Sequence, residues 1–373
     1  MASLISPVAT ILSMHNTSLQ ALEILALLKA NKNVLLVGPP GCGKSHIMSE
    51  VSEAFKGEAG SSFDPSGEIP FRKEGAMAEY IPSPERTIRV VHKTTFHQGT
   101  KYRDFVGGIA PKLTGQGGFV PYAGTLLQAN TDALGKDAAA LLCVDELNRG
   151  PAVAAFGDTL TAIEKDKRLD ENNIATPYSV PFHPPGENGA LTMHLSPHLY
   201  ILAAMNESDT SVEPLDVAFQ RRFSVVRLNI SPNKAKEHLR LPVESALSPL
   251  PVSPSSCLEV YIALFKAWNE VNRRIELGKG RAYLIGHGVL MSAIPPDEML
   301  GAFAYAKSAW SKIQAHALEV FYGNDQALGV IFNASQPGPY KLEEGQFGEQ
   351  PVTRLYLPVE SDIYQTLRQV AGS

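Results

Sequence analysis

The sequence is poor in cysteine and tryptophan, and neither sign of charge dominates it. Its 373 residues include 3 cysteines and 2 tryptophans. The cysteines Cys42, Cys143 and Cys257 are odd in number and lack metal-ligand spacing, which argues against a disulfide framework or a zinc site. With 33 Lys and Arg residues against 38 Asp and Glu, the net charge is −5. This balance disfavours tight, sequence-independent binding of nucleic acid by this chain alone.

Long apolar segments are also missing. No uninterrupted apolar run approaches the roughly 18 residues that a membrane-spanning helix needs. Residues 1–7 lack the basic and apolar parts of a signal peptide. The composition, 44% hydrophobic and 19% charged, is ordinary for a globular protein. We therefore expect a cytoplasmic protein that does not bind membranes.

The most informative segment present is a complete phosphate-binding loop. It consists of Gly38, Pro39, Pro40, Gly41, Cys42, Gly43, Lys44, Ser45 and, at the start of the following helix, His46. The apolar residues 33–37 before it predict a buried strand. After it, Ile47, Val51 and Phe55 recur at the spacing of one helix face. Strand, loop and helix thus come in the order that phosphate binding requires.

This loop predicts that the chain binds a nucleoside triphosphate. Its glycines let backbone N–H groups turn inward around phosphate oxygens, at a helix N-terminus that favours an anion. Lys44 would reach the β- and γ-phosphates, and the Ser45 hydroxyl would bind Mg²⁺.

A pair of carboxylates follows a second apolar strand. Residues 139–144 predict a buried parallel strand, and Asp145 and Glu146 come at its carboxyl end, where α/β sheets place their ligands. Asp145 would hold Mg²⁺, directly or through water, and Glu146 would act as the general base on the attacking water. An acidic pair alone also occurs at solvated strand ends. The phosphate loop makes hydrolysis the stronger interpretation.

Polar residues after a third apolar strand extend this pattern. Asn206 ends the strand predicted over residues 198–206, where it could orient water opposite the γ-phosphate. Arg221 and Arg222 follow at the end of a short predicted helix. They would either complement the helix dipole at a solvated surface or stabilise transition-state charge, in cis or from a neighbouring subunit. Arg149 could likewise face a neighbour or form a local salt bridge.

The ordered series of phosphate loop, acidic pair, Asn206 and paired arginines resembles the AAA+ ATPases. More specifically, it resembles the McrB type, the motor subunit of modified-cytosine restriction systems; the MoxR-like ATPases share the core motifs. The further segments that carry the resemblance are residues 96–98, 102–108, 117–119, 124–127, 145–150, 162–168, 199–206, 272–275 and 285–288.

The resemblance implies an α/β fold, namely a P-loop NTPase AAA+ core with a parallel sheet flanked by helices, followed by a helical lid. The expected organisation is a helical lead-in at 1–30, a core at 31–230 with a hairpin insert at 107–124, a linker at 231–255, a lid at 256–334 and a tail of unknown role at 335–373.

The resemblance also implies a homo-oligomeric, hexameric ring in which Arg221 and Arg222 face the γ-phosphate of the neighbour. We expect an NTP-driven motor coupled to a separate effector, a nuclease-type subunit in defence against foreign nucleic acid, which the partner would contact. The alternative is a MoxR-like chaperone ATPase with a von Willebrand factor A-type adaptor. A slowly hydrolysing nucleotide switch is a third interpretation, since fold does not fix function.

Two departures from the family pattern affect these expectations. The DNA-recognition domain that such motors carry before the core has no counterpart in residues 1–30, which predicts recognition by another polypeptide. The family's Asn-Thr-Ala-Asp sequence is replaced by Asn206-Glu207-Ser208-Asp209. The GTP preference of the restriction motors is therefore open here, and ATP is the expected substrate.

Overall fold

The computed structural model describes residues 18–57, 80–112, 118–208, 215–358 and 362–372. Contacts divide the chain into two units, each described by itself below. The first comprises the described parts of residues 1–37 and 44–227, and the second those of 38–43 and 228–373. Residues 38–43, the glycine-rich part of the phosphate loop, therefore group with the second unit by their contacts. The sequence analysis assigned residues 31–230 to one core.

A five-stranded parallel sheet forms the centre of the first unit. The strands of this unit are β1 (Asn33–Gly38), β2 (Ile88–Thr95), β3 (Gly107–Pro111), β4 (Phe119–Ala123), β5 (Ala138–Asp145), β6 (Pro185–Gly186), β7 (Gly189–Ala190), β8 (Leu199–Asn206) and β9 (Ser224–Arg227). The main sheet has the order β2-β5-β8-β1-β9. The predicted parallel α/β sheet is therefore confirmed.

The helices of the first unit flank this sheet. They are α1 (Leu19–Asn31), α2 (Lys44–Lys56), α3 (Tyr102–Phe105), α4 (Thr125–Ala133), α5 (Ala152–Phe156), α6 (Thr159–Ala162) and α7 (Val217–Gln220). Helix α2 buries Ile47, Val51 and Phe55, as their spacing predicts. Helix α1 begins after Ser18, whose hydroxyl accepts a hydrogen bond from the backbone N–H of Ala21 at 3.2 Å.

Burial explains why these apolar runs form the middle of the sheet. Every residue of β1 is buried, and β5 is buried up to Val144, because helices cover both faces of a parallel sheet. Strand β5 pairs in parallel with β2, where Asp145 lies opposite Thr95. It also pairs with β8, which ends at Asn206. The carboxyl ends of β5 and β8 thus present their polar residues at one edge.

Strands β3 and β4 form an antiparallel hairpin between α3 and α4. Gly107 pairs with Ala123 at its base and Pro111 with Phe119 near its tip; residues 113–117 lie outside the described residues. The side chains of Ile109 and Phe119 are 57% and 67% exposed. This hairpin occupies the position of the expected insert at 107–124.

The second unit is mainly helical and has its own apolar core. Its elements are α8 (Pro232–His238), α9 (Cys257–Lys279), α10 (Met299–Val320), α11 (Asp325–Ile331), β10 (Lys341–Phe347), β11 (Gln350–Tyr356) and α12 (Ile363–Ala371). Trp268 and Trp310 are buried in this core. The predicted helical region after the α/β sheet is therefore present.

The carboxyl-terminal tail joins the core of the second unit. Within the tail, β11 pairs with β10, and α12 follows. Helix α12 buries Tyr364, Leu367 and Val370. The Gln369 side chain donates to the Tyr340 carbonyl at 2.8 Å and accepts from the Tyr340 N–H at 2.8 Å. Helix α12 is thereby attached to the chain that precedes β10. Within the described ranges, no helix is long and apolar enough to cross a membrane.

Candidate functional site

The carboxyl edge of the first unit's sheet brings together residues that are distant in sequence. Ser45, in the first turn of α2, donates a hydrogen bond from Oγ to Oδ2 of Asp145 at 3.1 Å. Asp145 ends β5, and its Oδ1 accepts a hydrogen bond from the Glu146 N–H at 2.9 Å. The two residues predicted to bind Mg²⁺ are therefore in contact.

The Glu146 carboxylate has two polar neighbours. Its Oε2 accepts a hydrogen bond from Nδ2 of Asn206 at 3.1 Å and lies 3.2 Å from Nε of Arg149. Glu146 has φ 53°, in the left-handed region that a non-glycine residue seldom adopts. Such strain commonly marks functional positions. Arg149 thus forms the local salt bridge that the sequence left open.

Asn148 is a residue of this edge that the sequence analysis did not assign. Its Nδ2 donates to the Asn206 carbonyl at 2.9 Å, which fixes the end of β8 beside Glu146. The side chain is buried, and its Oδ1 has no hydrogen-bond partner among the described residues. Its position two residues after the acidic pair was the one hint in the sequence, and it has no periodic pattern.

Two further residues of the phosphate loop lie at the start of α2. Lys44 is only 8% exposed, whereas His46 is exposed. Both residues lie in the first turn of α2, and His46 is accessible to solvent.

The remaining residues of the loop lie in the second unit. Gly41 and Gly43 have φ values of +74° and +97°, which glycine adopts without strain. An ideal Cβ at Gly38 would lie 2.4 Å from the Leu228 carbonyl oxygen, so no side chain fits there. Cys42 is buried and Pro40 is partly exposed. The backbone at Gly41 and Gly43 therefore favours glycine.

The structure distinguishes the paired arginines, which the sequence could not. Arg222 Nε lies 2.9 Å from Glu164 Oε1 in an ion pair, and its guanidinium also donates to the Ala218 carbonyl. The Arg222 side chain is 10% exposed. Arg221 is exposed, and its side chain has no hydrogen bond or ion pair to the described part of the chain.

A buried polar network fixes the turn that carries these arginines. Asn33 donates from Nδ2 to the carbonyls of Ile163 at 2.8 Å and Arg222 at 3.0 Å. Its Oδ1 accepts from Nη2 of Arg168 at 2.6 Å. Arg168 is 2% exposed, and burial lowers its pKa to about 10, so it stays charged at neutral pH. The backbone at Arg222 is therefore rigidly attached to β1.

A cavity of about 320 Å³ opens beside the same turn. Its lining residues are Asn31, Glu164, Lys165, Arg221, Arg222, Phe223 and Ser224. Since Glu164 is paired with Arg222, the cations left at this surface are Lys165 and Arg221. These two exposed side chains give this surface positive charge.

The oxygen ligands at the carboxyl edge fit a magnesium ion. Mg²⁺ binds oxygen at about 2.1 Å in an octahedron, so adjacent ligand oxygens lie about 3.0 Å apart. The 3.1 Å between Ser45 Oγ and Asp145 Oδ2 matches that spacing. No group of three His, Cys, Asp or Glu side chains in the described residues could hold a metal.

The nearby Cys143 thiol has its pKa raised by burial to about 11, so it remains protonated.

Comparison with known proteins agrees with this geometry. Residues 85–223 match the AAA domain (dynein-related subfamily). The chain is 28% identical over 273 residues to the type IV methyl-directed restriction enzyme EcoKMcrB subunit of Escherichia coli (strain K12), covering 71% of this chain and 48% of that protein. It is 29% identical over 209 residues to the type II restriction enzyme BsuMI component YdiS of Bacillus subtilis (strain 168), covering 53% of this chain and 57% of that protein.

A solved structure described as a putative ATPase from Cytophaga hutchinsonii aligns with 79% of this chain and 75% of its own, at 14% identity and a TM-score of 0.31. That similarity is too low to support an argument. The parallel sheet and the matched domain define a P-loop protein of the AAA class, which implies nucleotide binding. Similarity to both restriction components supports the resemblance to the McrB-like AAA+ ATPases. It spans about half the length of these relatives.

Proposed function

We propose that this chain hydrolyses a nucleoside triphosphate with Mg²⁺ and uses the energy to drive a partner protein. The observation that carries the proposal is the carboxyl edge of the sheet. There Ser45 contacts Asp145 at 3.1 Å, and Asn206 contacts Glu146 at 3.1 Å. A metal-binding pair and a base with its positioning amide are the parts that phosphoryl transfer to water needs.

Ser45 and Asp145 would hold the magnesium ion. Bound there, the ion would neutralise charge that develops on the β- and γ-phosphates. Lys44 would offset phosphate charge in both the ground and transition states. The residues Gly38, Pro39, Pro40, Gly41, Cys42, Gly43 and His46 would complete the phosphate-binding segment.

Glu146 would act as the general base. Asn206 fixes one carboxylate oxygen of Glu146 through its Nδ2, and the carboxylate would accept a proton from the attacking water. Asn206 would also orient that water. Arg149 lies 3.2 Å from the same Oε2 atom and would help to hold the carboxylate in place.

Arg221 would complete the active site of a neighbouring subunit. It is exposed, whereas Arg222 is engaged with Glu164. A head-to-tail ring places the same surface of each subunit against the active site of the next. We propose that Arg221 is the arginine donated in trans and that Arg222 supports the turn. A hexamer is the assembly that the family resemblance favours.

The partner is proposed to be a nuclease-type subunit of a restriction or defence system. The support for this proposal is that both relatives are components of restriction enzymes. Foreign nucleic acid would be contacted through that partner, in keeping with the net charge of −5. A MoxR-like chaperone with an adaptor would share the same hydrolytic site, but neither relative points to it.

ATP is the proposed substrate, with GTP as the competing possibility. Backbone N–H groups of a phosphate loop contact phosphates rather than the base, so the loop does not select between them. Competition binding with both nucleotides distinguishes them. A strong preference for GTP would overturn the choice of ATP.

Nucleotide binding provides the test of the proposed function. The purified chain should bind a fluorescent ATP or GTP analogue in Mg²⁺, and the Lys44→Ala variant should lose that binding. Lys56→Ala is the matched control, because Lys56 is an exposed lysine at the other end of the same helix, and it should bind within a few-fold of the parent. Equal affinity of the parent and Lys44→Ala would contradict the assignment of the phosphate loop.

A further inference from the structure

Residues 285–288 of the second unit, here called the strap, hold the phosphate loop by its backbone. The Gly286 N–H donates to the Pro40 carbonyl at 2.9 Å, and the Gly288 N–H donates to the Gly41 carbonyl at 2.9 Å. Strap and residues 38–43 belong to the same unit. We propose that the strap orients the peptide groups of the phosphate loop and so sets nucleotide affinity, an inference that rests on the proposed nucleotide binding.

Peptide geometry explains how the strap could act. In a planar trans peptide, the N–H points opposite to the C=O of the same unit. Since the Pro40 and Gly41 carbonyls face the strap, the N–H groups of Gly41 and Cys42 face away from it. The Cys42 N–H lies 3.4 Å from the Pro39 carbonyl oxygen, which is a long hydrogen bond. A phosphate oxygen is a stronger acceptor for the same N–H.

The close approach requires glycine in the strap. An ideal Cβ at Gly286 would lie 1.9 Å from the Gly41 carbonyl carbon and 2.3 Å from the Cys42 nitrogen. Both are backbone atoms, which cannot rotate away as a side chain can. At Gly288 the corresponding Cβ would lie 2.9 Å from the Gly41 oxygen, a milder overlap. A methyl group at Gly286 must therefore separate strap and loop, and one at Gly288 must strain them.

Side chains of α9 and the backbone of Ser231, just before α8, fix the strap itself. Asn272 accepts from the Ile285 N–H at 2.7 Å and donates to its carbonyl at 3.0 Å, and Trp268 Nε1 donates to that carbonyl at 3.0 Å. The Ser231 N–H donates to Nδ1 of His287 at 3.1 Å. Nδ1 is therefore an acceptor, which places the proton of the neutral ring on Nε2.

These contacts make the strap a rigid template. Asn272 and His287 are buried, and burial lowers the pKa of His287, which favours its neutral form. A loop already held in its binding conformation loses less conformational entropy when the nucleotide binds. The strap therefore acts on binding, through the loop, and touches no reacting atom. Its residues are positioning residues.

The test compares nucleotide dissociation constants of glycine variants, using a fluorescent ATP analogue and a GTP analogue in Mg²⁺. Gly286→Ala should weaken binding at least about tenfold, a change of about 1.4 kcal/mol, and Gly288→Ala should weaken it less. Gly345→Ala is the matched control, since a Cβ at this position in β10 meets nothing within 4 Å. The rate at saturating nucleotide should stay near that of the parent, so that KM changes and kcat does not.

Asn272→Asp provides a second route if Gly286→Ala does not fold. The aspartate keeps the acceptor for the Ile285 N–H but cannot donate to the Ile285 carbonyl, so binding should weaken several-fold in a folded protein. Parental affinity in folded Gly286→Ala, or in both Gly288→Ala and Asn272→Asp, overturns the inference. An equal loss in Gly345→Ala also overturns it. Failure of the parent to bind either nucleotide instead refutes the proposed function.

Discussion

Arg221 and Arg222 are adjacent, yet their replacement by alanine should affect different properties. The change at Arg221 should lower the rate of hydrolysis, and the change at Arg222 should lower stability. Arg221 is exposed, so Arg221→Ala should change the free energy of unfolding by no more than about 0.5 kcal/mol. An arginine donated to a neighbour's phosphoryl-transfer site is worth ~10³–10⁵ in rate, so hydrolysis should collapse while nucleotide binding survives. Arg222→Ala removes the 2.9 Å ion pair with Glu164 and should cost ~1–3 kcal/mol of stability.

The assay mixes two inactive proteins. Arg221→Ala keeps its own nucleotide site, and Lys44→Ala keeps its arginine, so some interfaces in a mixed ring pair an intact site with an intact Arg221. Phosphate release should recover partially in the mixture. A second mixture, of Arg221→Ala with Glu164→Ala, tests the ion pair between Glu164 and Arg222 in the same assay. Specific activity of the parent should also rise with protein concentration as rings assemble.

Three results would refute this reasoning. If the mixture stays inactive although light scattering confirms assembly, Arg221 does not act in trans. If folded Arg222→Ala loses hydrolysis while Arg221→Ala retains it, the assignment of roles from exposure and pairing is wrong. Full activity of a dilute monomer would likewise exclude a shared site.

Two other variants test the environment of the sheet. Asn148→Ala removes the 2.9 Å hydrogen bond to the Asn206 carbonyl. Hydrolysis should therefore slow about tenfold while nucleotide affinity stays unchanged. A kcat equal to that of the parent would show that Asn148 does not position Asn206. Burial lowers the Lys32 pKa from 10.5 to about 8, so the unfolded chain binds more protons between these values and stability rises with pH there. In calorimetry, Lys32→Met should therefore have a higher melting temperature than the parent at pH 7, and this difference should disappear above pH 10.5. Equal melting temperatures at pH 7 would contradict the prediction.

Local periodicity made much of the fold predictable. The spacing of Ile47, Val51 and Phe55 predicted the buried face of α2, and apolar runs predicted β1, β5 and β8. The site residues followed because parallel strands present their carboxyl ends at one edge. That rule does not depend on knowing which strands are neighbours.

Side-chain partners that are distant in sequence could not be predicted in the same way. Nothing in the paired arginines shows that Arg222 lies against Glu164 and that Arg221 is exposed. The contact of Gly286 with Pro40 joins segments that no local pattern relates. Asn148 was overlooked because an asparagine after an acidic pair has no periodic signal. These features depend on tertiary packing, which single-sequence patterns do not encode.

The central claim is that the carboxyl edge of the sheet hydrolyses a nucleoside triphosphate. The most direct measurement is phosphate release from ATP and GTP by the purified chain, with Mg²⁺ and with EDTA, beside Glu146→Gln. Loss of a general base typically lowers the rate ~10²–10⁴-fold. The account predicts Mg²⁺-dependent release by the parent, and a Glu146→Gln protein that binds nucleotide with parental affinity but releases almost no phosphate. Release by Glu146→Gln at the parental rate would contradict it.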